Sequence, residues 1–74
     1  MGEMAILGTE GDTKVIWDAE NEHEVDAAKA QFDILIKKGF SAFKVKKDGE
    51  AGKKIKYFDP NAGSIIMVPM VAGG

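Results

Sequence analysis

The chain has 74 residues, no cysteine, 45% hydrophobic residues and a net charge of −2. That length supports a single domain, 1–74, which buries only about 60% of its unfolded surface. Without cysteine there are no disulfides, thiolate metal ligands or thiol nucleophiles, so stability must come from packing, turns or a partner.

Met1-Gly2-Glu3 reads as a short lead into Met4-Ala5-Ile6-Leu7, a first apolar strand ended by the turn signal Gly8-Thr9-Glu10-Gly11-Asp12. Lys14-Val15-Ile16-Trp17 follows as a second strand, rich in β-branched and aromatic residues. Asn21 is a helix N-cap, with Glu24 placed three residues on for a capping box. Glu22, Glu24 and Asp26 put negative charge on the first turn, where the helix dipole favours it. Val25, Ala28, Phe32, Leu35 and Ile36 form one apolar stripe. Lys37 and Lys38 close the last turn, and Gly39 supplies the C-cap, which predicts a helix over 22–38.

After Gly39 the period becomes two: Phe43 and Val45 face one way, Lys44 and Lys46 the other. Asp48-Gly49-Glu50-Ala51-Gly52 reads as a hairpin loop, and Ile55 and Tyr57 then alternate with Lys54, Lys56 and Phe58. Asp59-Pro60-Asn61-Ala62-Gly63 is a second turn. Ser64-Ile65-Ile66-Met67-Val68 is apolar on both faces, as a central strand is, and Pro69 stops it. Trp17, Phe32, Phe43 and Tyr57 are the expected aromatic core.

The order strand, strand, helix, strand, strand, strand predicts an α+β domain with a small mixed β-sheet and one helix packed across it. It resembles the β-grasp, or ubiquitin-like, fold. The competing architecture is a plain β-α-β-β-β sandwich, with Met4–Leu7 only an arm.

Little in the chain suggests catalysis. His23 is the only histidine and, with no cysteine, cannot build the usual zinc ligand set. The acidic run Asp18, Glu20, Glu22, Glu24 and Asp26 fails as a calcium loop, because the position needing glycine is His23. Ser41 and Ser64 have only His23 as a possible base, and no phosphate-binding glycine motif is present. No enzyme, metal or cofactor is expected.

Charge is uneven: residues 1–36 hold nine acids and two lysines (−7), residues 37–74 eight lysines and three acids (+5). Lys44 and Lys46 on one strand, with Lys54 and Lys56 on the next, would share a basic sheet face with Phe58. A basic face with an aromatic suits single-stranded nucleic acid. Against it stand the absence of arginine and the ordinary use of edge lysines to block aggregation.

The chain closes on Pro69-Met70-Val71-Ala72-Gly73-Gly74. A domain of this size ending Pro-x-Val-x-Gly-Gly resembles the ubiquitin-like sulfur carriers of molybdopterin and thiamin biosynthesis, and more loosely the ubiquitin-like modifiers. The resemblance implies a carrier with no chemistry of its own and an adenylating enzyme as protein partner. Gly73 and Gly74 would enter that enzyme's site, with Pro69, Met70 and Val71 docking beside it. Glycine is needed there because a Cβ would obstruct close backbone approach.

The alternative is a small interaction module, a subunit of a virion or other multiprotein assembly. Single-stranded nucleic-acid binding is a third reading. No apolar run reaches the ~18–20 residues of a membrane span and no secretory pattern opens the chain, so no membrane partner and a cytoplasmic location are expected.

Overall fold

A computed structural model describes residues 1–8, 11–45 and 52–69. Its elements are β1 (Gly2–Ile6), β2 (Thr13–Trp17), α1 (Glu22–Lys37), β3 (Ser41–Val45), β4 (Lys53–Ile55) and β5 (Ser64–Val68). The five strands form one mixed sheet in the order β2-β1-β5-β3-β4. β1 runs parallel to β5, and every other neighbouring pair is antiparallel. The expected α+β class, with a small mixed sheet and one helix, is therefore the observed one.

The first strand is not an arm. β1 begins at Gly2 rather than Met4 and lies between β2 and β5, so Gly2 and Glu3 are sheet residues. Gly2 sits opposite Trp17 in the β1–β2 register. A Cβ there would run into the indole ring and the Ala62 carbonyl, so the smallest residue makes room for the largest.

The helix follows its local signals closely. Asn21 Oδ1 accepts the backbone N–H groups of His23 at 3.1 Å and Glu24 at 3.2 Å. The Glu24 carboxylate reaches back past the cap, accepting from the Asp18 N–H at 2.9 Å and the Asn21 side-chain amide at 3.0 Å. This box is thus one turn wider than the sequence pattern implies, and it ties the end of β2 to the helix start. At the other end Phe40 N–H donates to Leu35 O and Gly39 N–H to Ile36 O, each at 3.0 Å. That is a Schellman motif, with Gly39 at φ 99° supplying the left-handed residue.

Ala28, Phe32 and Leu35 turn the helix's apolar stripe onto one face of the sheet, where Met4, Trp17, Ala42, Ile65 and Met67 are buried beneath it. The Trp17 indole N–H donates to Pro60 O at 2.9 Å. Phe58 stacks obliquely on Trp17, 4.9 Å between ring centroids, and meets Phe32 edge-on at 5.8 Å. The 59–63 turn is built by Asp59, whose backbone carbonyl accepts from Ala62 N–H at 3.1 Å and whose Oδ1 accepts from Asn61 N–H at 2.9 Å.

Two expected core aromatics lie elsewhere. Tyr57 is 83% exposed, because β4 ends at Ile55 and the chain bends away before reaching it. Phe43 is only half-buried, because Ala42 rather than Phe43 takes the helix-facing position in β3.

Candidate functional site

The tail leaves the sheet from its middle. β5 is hydrogen-bonded on both sides, to β1 and β3, and its final residue Val68 stands opposite Ser41. Leu7 N–H donates to Met67 O at 3.0 Å, so the end of β1 also borders this exit. Pro69 then follows, half-buried. Met70, Val71, Gly73 and Gly74 lie outside the described residues, as does Lys46.

No described element covers the face of the sheet away from the helix, and the middle of that face is apolar. Strand alternation and the registers place Ala5, Ile66 and Phe43 side by side in one row across β1, β5 and β3. Val45 and Val68 flank that row on the same face. Ile16 extends it towards the β2 edge at 56% exposure. Lys14 ends the central row on one side and Lys54 on the other.

The apolar run of β5 is the central strand that its sequence predicts. Ile65 and Met67 are buried against the helix, whereas Ile66 and Val68 are half-buried on the open side. Among the described residues the parallel β1–β5 pair is covered on its helix side only.

The expected basic face is corrected by the register. Lys44 pairs with Lys53, and Phe43 with Lys54, so Lys44 and Lys54 lie on opposite faces. Lys44 sits on the helix side and donates to Asp59 Oδ2 at 3.1 Å. The N–H of Asn61 and the Lys44 ammonium together hold the Asp59 carboxyl below its ordinary range. Lys56 lies beyond the end of β4, and Phe58 packs into the aromatic core instead of joining the lysines. The misreading came from assigning the larger apolar residues of β3 to the core.

A different basic cluster replaces it. Lys37 and Lys38 at the end of α1, with Lys53, Lys54 and Lys56 on and after β4, form no ion pair among the described residues, where Lys14, Lys29 and Lys44 do. Lys54 and Lys56 line a groove of about 300 Å³ together with Ile36, Phe40, Ala42 and Ile55.

His23 is exposed at the start of α1, whereas Ser41 and Ser64 share the helix-distal face with Val68 and Val45. The helix and the sheet therefore stand between base and hydroxyls. Among the described residues no three His, Asp or Glu side chains gather as a metal site would require, and no helix is long and apolar enough to cross a membrane. In comparisons with protein-family models, curated proteins and solved structures, nothing matches this chain.

Proposed function

We propose that this chain is a non-enzymatic, ubiquitin-like carrier or modifier of β-grasp architecture, whose working group is the Gly74 carboxylate. The observation that carries the reading is a Pro-x-Val-x-Gly-Gly run that continues directly from the central strand of a β2-β1-β5-β3-β4 sheet. A rigid base for an unhindered tail is what the chemistry needs. The partner enzyme joins the carboxylate to AMP from ATP and releases pyrophosphate. A sulfur donor or a lysine amine then displaces AMP, leaving a thiocarboxylate or an isopeptide bond. This chain supplies no acid, base or nucleophile to either step.

The open face of β1, β5 and β3 supports the same reading, because an apolar surface on the strand that leads into the tail gives an adenylating enzyme something to hold. That surface also supports a second reading, in which the chain is an assembly module bound through the sheet.

Intact mass spectrometry of the protein from its own host separates the two, with an N-terminally tagged chain lacking Gly74 alongside. A carrier shows a terminal thiocarboxylate or an adduct that disappears without Gly74. It requires Gly74 to be the mature end, which the same mass reads. An unmodified terminus, with fixed partners co-purifying equally with both forms, refutes the carrier and favours the assembly module.

A further inference from the structure

A second candidate site lies at the β4 edge of the sheet, separated from β5 by β3 alone. β4 pairs only with β3 among the described residues, so its outer edge offers unpaired backbone groups, a template for an added strand. Ile55 shares the helix-facing side of this edge with Ala42. The groove beside it continues to Ile36 and Phe40, where the Schellman turn brings the chain from α1 into β3. At about 300 Å³ it falls at the lower end of the roughly 300–1,000 Å³ spanned by small-molecule pockets. It suits one or two apolar side chains better than a cofactor.

The rim decides the partner. Lys54 and Lys56 line the groove, and Lys37 and Lys38 end α1 just before the Gly39 and Phe40 that also line it. A second copy of β4 would set these lysines against its own. The other edge strand, β2, carries Lys14 and no acid, so it offers no match either. An acidic segment is favoured where both of these are repelled, which is specificity by charge. Exposed Tyr57 follows Lys56, but one aromatic gives a base strand little to stack on, whereas an apolar floor beside an open strand edge fits alternate side chains of a strand.

We propose that the β4 edge and the α1–β3 groove bind an extended peptide of a partner protein, an apolar core flanked by Asp or Glu, by strand addition. The apolar side chains enter the groove and the flanking carboxylates meet the lysine rim. Affinity then comes from main-chain pairing and selection from the pocket and the charges. The proposal does not rest on the chemistry of the tail and stands whether or not Gly74 is ever adenylated.

The test uses the full chain and a synthetic peptide, Asp-Glu-Val-Ile-Val-Asp-Glu, followed by amide chemical shifts and amide hydrogen exchange. Saturable binding should shift residues 36–42 and 53–56, slow exchange along β4, and weaken when salt rises from about 50 mM to about 500 mM. Lys54→Glu with Lys56→Glu, both at exposed positions, should weaken binding at least about tenfold with the fold retained. A peptide with Lys in place of its acids should not bind. The proposal is overturned if the acidic peptide does not bind at millimolar concentration, if its shifts map to the open sheet face, or if the double variant binds equally well. It is likewise overturned if an oligo-dT strand occupies the groove and the peptide does not.

Discussion

Asp59 serves three partners, one through its backbone and two through its side chain. Its carbonyl closes the turn after β4, Oδ1 caps the Asn61 N–H and Oδ2 receives Lys44 from the far end of β3. Its carboxyl is held below the ordinary value of 3.8, first by the Asn61 N–H and then by Lys44. A lowered folded pKa means that the unfolded chain takes up the proton first as pH falls. The stabilisation is therefore fully present above about pH 4 and is lost as pH drops through the lower folded value. Its size is small, because the Asp59 side chain is 35% exposed and Lys44 43%, and solvent screens such a pair. Asp59→Asn keeps an acceptor for Asn61 but loses the charge, and should cost less than about 1 kcal/mol at neutral pH. Melting curves from about pH 7 down to about pH 2.5 should show the gap between wild type and variant closing below about pH 4. A constant gap would mean that Asp59 acts through turn geometry alone. None of this was readable from Asp59-Pro60-Asn61-Ala62-Gly63 beyond the presence of a turn, since Lys44 is fifteen residues away in sequence.

At the scale of elements, α1 was legible almost to the residue because its information is local. Asn21, Glu24, the apolar stripe and Gly39 each act within a few residues of themselves. The cap should accordingly behave as a separable contribution: Asn21→Ala is expected to cost about 1 kcal/mol. Gly39→Ala must hold φ 99° with a Cβ and should cost at least as much, about 1–2 kcal/mol. Urea denaturation of both variants, with unchanged slope and a lowered midpoint, checks this. The faces of β3 were not legible in the same way. Ala42-Phe43-Lys44-Val45 alternates whichever side is buried, and size favours Phe43 for the core. What decides is tertiary: Trp17, Phe32 and Phe58 already fill the space under the helix, leaving room for Ala42 and sending Phe43 outward. That single inversion dissolved the expected basic face and exposed the apolar one.

For the molecule as a whole, the imbalance between its two sheet faces is the property most relevant to partners. One face is sealed by α1, while the other shows Ala5, Phe43, Ile66, Val45, Val68 and Ile16. A strand apolar on both sides, as β5 is over Ile65–Val68, suits a packed layer on each face, and the described residues supply one. If the missing layer is the enzyme that activates Gly74, the face and the tail must act together. Ile16→Lys with Phe43→Lys alters one exposed and one half-buried position and leaves Met4, Ile65 and Met67 under the helix. The melting temperature should therefore fall by no more than about 8 °C, the equivalent of roughly 1 kcal/mol in a domain of this size. Modification of Gly74 in the native host, read by intact mass, should nevertheless be lost. The two ways of failing are distinct. An unmodified wild-type terminus removes the carrier function itself, whereas equal modification of wild type and variant keeps the carrier and removes the open face as its docking surface. A variant that no longer modifies but still melts near the wild-type temperature assigns the third layer to the activating partner, since what is taken away is apolar surface that no described element covers.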